Sequence, residues 1–435
     1  MDARRTALSA LIACRKQGAW ADGILKEYIA RDKLDKRDAA LASRLCYGVL
    51  QNRMLLDHYI GLCLTGSLKK LQPIVLDILR LGMYQLLLMD KIPVSAAVNE
   101  AVEQTKKYAN RAASGLVNGV LRRAARERGQ LPAPESLAVR YSHPEDLVAL
   151  LRDSVGEDRL EALLAADNEA PQTVIQVNTL KTDADTVADI LQKDGATLQE
   201  HPWMEDAFYL SGVGDMEALP SFKEGLFLVQ DPAAKLSVLA AGLQSGMGVL
   251  DGCAAPGGKS FAAAIAMKNE GHIISCDIHD HKIALLSKGS QRLGATIVEP
   301  RLHDGRVNDP ALNDTMDVVL ADVPCSGLGV IRKKPDIRYN DVTKMEGLPP
   351  IQRAILDNLS RYVKSGGVLL YSTCTVLRRE NEEVVQSFLE THQNFELEAF
   401  STPNGLHGEN DGMLTLLPSI HGTDGFFICK MRRKV

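Results

Sequence analysis

Five short apolar runs punctuate the second half of the chain, and each ends on a polar or sulfur-bearing residue. They are MGVLD (247–251), HIISCD (272–277), TIVEPRLHD (296–304), MDVVLAD (316–322) and GVLLYSTC (367–374), with segments of helical character between them. Strands separated by helices cannot close hairpins, so the alternation from about residue 233 predicts a mostly parallel sheet with helices on both faces. Such sheets bind ligands outside the carboxyl ends of their strands. The residues just past the runs are therefore the candidates: Asp251, Asp277, Asp304, Asp322 with Pro324-Cys325 beyond it, and Cys374. Each aspartate taken alone also fits a turn or a helix cap.

The first run opens into DGCAAPGGKS (251–260), a glycine-rich loop followed by an alanine-rich helical stretch. A P-loop needs four residues between its first glycine and Gly-Lys-Ser. Here five, Cys253 to Gly257, separate Gly252 from Gly258-Lys259-Ser260. The G-x-G-x-x-G fingerprint of dinucleotide sites is also missing. The loop stands where a ligand binds, yet it is built for neither a triphosphate nor a dinucleotide.

The eight cysteines (14, 46, 63, 253, 276, 325, 374 and 429) contain no C-x-x-C pair. That spacing predicts neither a zinc site nor a disulfide framework, and points to a reducing cytoplasm. His279 and His281 flank Asp280 and read as a solvated loop, so no metal is expected. Most of the cysteines read as small buried hydrophobes, Cys253 among them. Cys325 and Cys374 differ because each follows a strand end beside turn-forming or hydroxyl residues.

The first 140 residues carry helical spacing throughout, with 23 Lys and Arg against 13 Asp and Glu, although the whole chain has a net charge of −5. Arg122-Arg123-Ala-Ala-Arg126-Glu-Arg128 predicts a positive face, either merely solvated or shaped for a polyanionic partner. GQLPAPES (129–136) is the first clear loop. A helical bridge follows, and residues 172–230 read as a small α+β module. The expected domains are thus 1–140, 141–232 and 233–435. No apolar run of about 18 residues predicts a membrane span, and the first 20 residues lack a signal-peptide pattern.

DGCAAPGGKS, DVPCSGLGVIRKKPD and YSTCTVLRRENEEVV, in this order, resemble the S-adenosylmethionine-binding and catalytic motifs of RNA cytosine-5 methyltransferases. LLPSIHGTDGFFICKMRR is similar to that family's C-terminal signature, and the basic helical first domain resembles the antitermination factor NusB. Together they narrow the resemblance to the family's bacterial 16S ribosomal RNA members. It implies an all-α NusB-like N-terminal domain, a small α+β module and a C-terminal α/β Rossmann-like class I methyltransferase domain. It also implies a cytoplasmic monomer, without a membrane partner, acting on 16S ribosomal RNA either naked or in a partly assembled small subunit.

For the cofactor, S-adenosylmethionine, the resemblance maps Ala254, Ala255, Pro256, Gly257, Gly258 and Lys259 onto the methionine and ribose portion. Asp277 takes the ribose hydroxyls, Asp304 the adenine amino group, and Asp322 lies beside both cofactor and target base. Cys374 is implied as the nucleophile and Cys325 as the residue that helps release the product. The swapped assignment stays open, because in DNA cytosine-5 methyltransferases the nucleophile follows a proline, as Cys325 does here. Lys259 either neutralises the methionine carboxylate, positions RNA or caps a helix. Arg332, Lys333, Lys334 and Arg338 are expected at RNA phosphates, with Arg122 and Arg123 adding affinity. The competing reading is a non-catalytic RNA-binding factor with a vestigial methyltransferase domain. The intact loop, the aspartates and both cysteines weigh against it.

Overall fold

The first helices form for local reasons. Asp35 accepts from the Asp38 N–H to open helix Lys36–Gln51, and Asn110 accepts from the Ala113 N–H to open helix Arg111–Arg126. Pro73 begins helix Pro73–Leu88, where its missing N–H costs no hydrogen bond. A computed structural model describes residues 2–17, 20–406 and 410–435 of the chain. Leu8, Leu45, Leu56, Ile60, Ile78, Leu79 and Leu121 are fully buried where these helices meet Ala3–Gln17 and Arg53–Cys63. Each such side chain contributes about 1.5–3 kcal/mol relative to an exposed one. No helix among the described residues is long and apolar enough to cross a membrane.

This helical unit comprises Met1–Glu169 together with Ile331–Asn340, so it runs past the boundary expected at residue 140 and recruits a segment from far along the chain. Arg338 explains the recruitment. Its side chain is 1% exposed, and its guanidinium donates to the carbonyls of Gln51 (3.0 Å), Tyr141 (3.2 Å) and Asp167 (3.2 Å) and to Asn168 Oδ1 (2.8 Å). Next to it, the Tyr339 hydroxyl donates to the Leu50 carbonyl, and the Arg53 guanidinium stacks 3.4 Å from the Tyr339 ring centroid. The expectation that Arg338 meets phosphates is corrected: a guanidinium is buried at tolerable cost when most of its donors are satisfied, and here backbone carbonyls and Asn168 Oδ1 take both Nη groups, while Nε has no partner among the described residues. Arg332 is also buried in this unit, Lys333 is half-buried, and only Lys334 of the four is exposed.

The second unit, Ala170–Val330 with Asp341–Val435, holds two sheets. Strands β1 (Thr173–Val177), β2 (Thr197–Glu200), β3 (Ala207–Ser211) and β4 (Phe227–Val229) pair antiparallel in the order β2-β3-β1-β4. Helix Ala184–Lys193, capped by Asp183, packs Val187 and Leu191 with Ile175, Phe208 and Phe227.

The larger sheet contains β5 (Gly248–Asp251), β6 (His272–Asp277), β7 (Val298–Leu302), β8 (Met316–Asp322), β9 (Val363–Thr373), β10 (Phe395–Leu397), β11 (Met413–Leu416) and β12 (Phe426–Arg433). Its order is β10-β12-β9-β8-β5-β6-β7, with β11 paired to β12. The five expected strands, β5 to β9, are mutually parallel; β10, β11 and β12 add an antiparallel edge that the alternation did not announce. Period-two alternation divides their side chains between two cores. Val249, Ile273, Val318 and Leu370 face one layer, while Leu250, Ile274, Val319 and Leu369 face the other. The strand order reverses at β5, flanked by β6 and β8, which opens a crevice at its carboxyl end.

Candidate active site at the carboxyl edge of the mixed sheet

The glycine loop leaves β5 at Asp251 and is pinned from both flanking strands. The Gly252 N–H donates to the Leu320 carbonyl (2.9 Å) and the Ala254 N–H to the Cys276 carbonyl (2.7 Å). Gly257 sits at φ +113°, and a Cβ there would lie 2.4 Å from the Phe261 ring, so the turn into helix Gly258–Ala266 requires glycine twice over. Beneath the loop, the Ser275 hydroxyl donates to Ser260 Oγ (2.8 Å), which donates to Asp251 Oδ2 (2.7 Å). Burial raises the Asp251 carboxyl to about 6 against this hydrogen bond. Burial also pushes the Cys253 thiol up, which suits its reading as packing. Sequence reasoning missed Gln230, whose Nε2 donates to the Gly258 carbonyl (3.0 Å) from beyond β4. Its only signal was the polar QD after the apolar FLV.

Along the same edge, Asp277 closes β6 and accepts from the His279 N–H (3.0 Å) and from Lys282 Nζ (3.4 Å). Ile278, immediately after it, is 53% exposed, an apolar side chain bared beside a carboxylate. An acceptor for hydroxyls next to an apolar plate suits a ribose with an attached base, and the exposed Ile278 was legible only as an unexplained break in polarity. Asp304 is held by Arg306 through two parallel bonds (Nε–Oδ1 3.0 Å, Nη2–Oδ2 2.7 Å), which keep its carboxyl below the usual range. His279 and His281 lie exposed at the start of helix Asp280–Leu293 instead of in a free loop.

Asp322 closes β8 between two partners. Lys259 Nζ approaches Oδ2 at 2.6 Å, and the Ser372 hydroxyl of β9 donates to Oδ1 at 2.9 Å. The Lys259 ammonium also lies 4.9 Å from the centroid of Phe426 in β12, and its side chain is only 10% exposed. The ion pair with the β8 carboxylate is a partner for Lys259 that none of its expected roles named.

The two singled-out cysteines meet. Cys325 Sγ and Cys374 Sγ are 3.3 Å apart, although 49 residues separate them. Their loops are laced together: the hydroxyls of Ser326 and Thr375 lie 2.8 Å apart, and the Gly329 N–H donates to the Cys374 carbonyl (2.9 Å). Gly329 in turn accepts from the Gly425 N–H (2.8 Å), and a Cβ on Gly329 would lie 1.8 Å from the Gly425 carbonyl oxygen. The hydrogen bond from Cys325 lowers the Cys374 thiol below its ordinary value, with the Lys259 charge acting in the same direction. Donating that bond, with burial added, raises Cys325 well above it. The two sulfurs are close enough to share one proton, and these shifts favour the negative charge on Cys374, where a sulfur nucleophile needs it.

The structure thus brings Lys259, Asp322, Cys325 and Cys374 together, with Asp277 and Asp304 further along the same edge. Arg332 and Arg338 are not part of this cluster, since both are buried in the helical unit. Arg122 and Arg123 lie exposed on helix Arg111–Arg126.

Three segments of the chain match models of known families. The family model described as "16S rRNA methyltransferase RsmB/F" matches residues 238–432, that of the NusB family residues 1–126, and a "Methyltr_RsmF/B-like, ferredoxin-like domain" residues 143–217. The crystal structure of PH0851 superposes with a TM-score of 0.82 at 24% identity, covering 99% of this chain and 98% of that one. NSun6 from Pyrococcus horikoshii, solved with SFG, gives a TM-score of 0.60 at 22% identity over 67% of this chain and 98% of its own. These two likenesses establish the fold. A curated relative from Bacillus subtilis (strain 168), named "Probable ribosomal RNA small subunit methyltransferase B", is 37% identical over 99% of this chain and 98% of its own length. At that identity and coverage, the chain belongs to the ribosomal RNA small subunit methyltransferase B family.

Proposed function

We propose that this protein methylates carbon 5 of a cytosine in 16S ribosomal RNA through a covalent adduct between Cys374 and carbon 6 of the base. The observation that carries the reading is the pair of thiols 3.3 Å apart beside the Lys259–Asp322 ion pair. S-adenosylmethionine is the cofactor, and when bound it supplies an electrophilic methyl group on a sulfonium. The residues present fit it: Asp277 for the ribose hydroxyls, the loop from Ala254 to Lys259 for the methionine end, and the exposed Ile278 as an apolar surface for the base.

Carbon 5 of cytosine is a weak nucleophile. Attack by the Cys374 thiolate on carbon 6 forms a C–S bond and pushes electron density onto carbon 5, splitting one hard step into easier ones. Ring N3 takes up a proton from water as the adduct forms, and the resulting N3–H donates to the Asp322 carboxylate, which Lys259 holds in place; the proton returns to water on release. Once carbon 5 carries the methyl group, its proton passes to a solvent water. The electron pair left behind re-forms the C5–C6 double bond as the C6–Sγ bond breaks, and Cys374 departs as a thiolate. Cys325 assists this release by donating its S–H hydrogen bond to the departing sulfur. The base must leave its stack to reach the thiols, and Arg122, Arg123 and Lys334 supply exposed positive charge for RNA phosphates.

Bisulfite mapping of 16S ribosomal RNA from cells with and without the gene tests the reaction: one cytosine is expected to lose its protection. No change at any cytosine would overturn the reading. For the mechanism, Cys374→Ala is expected to give no adduct, whereas Cys325→Ala accumulates an enzyme–RNA adduct that survives denaturing electrophoresis. The reverse pattern would exchange the two assignments.

A further inference from the structure

The turn that follows the Cys374 loop carries two fully buried polar residues in succession, Glu380 and Asn381. They grip different loops. Asn381 Oδ1 accepts from the Thr373 hydroxyl (2.6 Å), and its Nδ2 donates to the Thr375 carbonyl (3.0 Å), so it brackets Cys374. Glu380 reaches across to the other cysteine: its Oε2 accepts from the Ser326 N–H (2.9 Å) next to Cys325. The same oxygen accepts from Gln352 Nε2 (2.8 Å), and Gln352 also donates to the Pro324 carbonyl (3.0 Å) on the other side of Cys325. The Tyr371 hydroxyl donates to the Glu380 carbonyl (2.6 Å) and holds the turn down.

Hydrogen bonding alone does not account for an acid at this position. Glu380 Oε1 is buried with no hydrogen-bond partner among the described residues, so an amide would make the same two bonds through one oxygen. A carboxylate kept in such a place is expensive unless its charge acts on something. The charge lies on the Cys325 side of the thiol pair, whereas the cation Lys259 acts on Cys374. The other charged groups bearing on Cys374 are Asp322 and Asp424, both of which oppose its thiolate. Asp322 and Asp424 work against a thiolate on Cys374, and a negative charge behind Cys325 adds to the Cys325 hydrogen bond and the Lys259 charge in drawing the shared proton towards Cys325.

We propose that Glu380 is a positioning residue that fixes the Cys325 loop against the Cys374 loop and whose charge keeps the shared proton on Cys325, leaving Cys374 as the nucleophile. This rests on the covalent reading above, and its test is independent of RNA. The free full-length enzyme is treated with limiting iodoacetamide, and the labelled peptides are quantified by mass spectrometry. In the wild type, Cys374 labels first. E380Q, which keeps both hydrogen bonds and loses the charge, is expected to raise the Cys325-to-Cys374 labelling ratio about tenfold, the equivalent of one pKa unit between the two sulfurs. E380D, which keeps the charge, is expected to stay near the wild-type ratio. A wild-type ratio in E380Q, or equal shifts in E380Q and E380D, would overturn the proposal. So would wild-type enzyme in which Cys325 labels first, a result that needs no variant. Failure of Cys325→Ala to trap an RNA adduct would instead overturn the covalent reading, while the labelling ratio still decides the role of Glu380.

Discussion

The carboxyl edge of the mixed sheet and the outer face of helix Arg111–Arg126 both present charge, but by opposite means. At the sheet edge, Lys259 and Asp322 meet at 2.6 Å with the lysine side chain 10% exposed, and Ser372 fixes the second carboxylate oxygen. On the helix, Arg123 pairs with Glu127 at 3.1 Å with 43% of its side chain exposed, and Arg122 donates to Asn118 on its own helix. In the first setting the cation is largely shielded from water, although Asp322 keeps 31% of its side chain exposed, and its charge acts more strongly over short distances. In the second, solvent and salt screen each charge, and an ion pair contributes little to stability. Chemistry at one atom needs the first arrangement; attraction for a polyanion needs only the second.

Four variants probe that contrast, from the largest expected effect down. Cys374→Ala is expected to reduce methyl transfer by at least about 10⁴-fold, because the route through the covalent adduct disappears. Transfer of labelled methyl to 16S ribosomal RNA measures it. Asp322→Asn keeps an acceptor for Ser372 but loses the charge opposite Lys259, and a fall of about 10²- to 10⁴-fold in single-turnover rate is expected. A loss smaller than tenfold would put the edge in the same class as the helix face.

Asp251 tests whether burial at the edge is as strong as its geometry suggests. Its carboxyl is raised from 3.8 to about 6, so the stability it contributes is fully present below pH 3.8 and is lost as pH rises through 6. At about 1.4 kcal/mol per unit, the cost at neutral pH is about 3 kcal/mol. Asp251→Asn, which retains an acceptor for Ser260, is therefore expected to flatten the stability curve between pH 4 and 6 in denaturant titrations. An unchanged slope would mean the carboxyl is solvated. The smallest effect belongs to the helix: Arg122→Ala with Arg123→Ala is expected to lower the slope of log RNA affinity against log salt by about two, with cofactor affinity unchanged. A cofactor defect in that variant would break the comparison from the other side.

Deleting residues 1–140 would be a poorer probe of RNA binding than these surface changes. It would strip the Gln51 carbonyl from Arg338 and the Leu50 carbonyl from Tyr339. A buried guanidinium without its acceptors costs several kcal/mol, so lost binding could not be separated from lost folding.

Much of the candidate site was legible because its parts are local. The run from Asp251 to Lys259, Asp322 with Cys325, and Ser372 with Cys374 each lie at a strand end and the few residues after it. Strand periodicity and loop composition therefore expose them together. Gln230 and Glu380 were not legible in this way. Each acts on a loop 28 or 54 residues distant, and neither has a neighbour that marks it as more than a polar side chain. The antiparallel edge was missed for a related reason, since β12 pairs with β9 across more than 50 residues and short apolar strands carry no sign of their direction.

By itself, the sequence determined the alternation of strand and helix, the glycine turn and the acidic strand ends, because these depend on backbone preferences within a few residues. Only the tertiary structure decided where charge goes. Arg338 and Arg123 are the same residue type in similarly basic stretches, yet one is buried among carbonyls and the other faces solvent. Likewise, the two cysteines meet at 3.3 Å only through folding, which also brings the charge of Lys259 to bear on Cys374 and that of Glu380 on Cys325. Electrostatic energy in a buried site is set by distance and desolvation, and neither is a property of position along the chain.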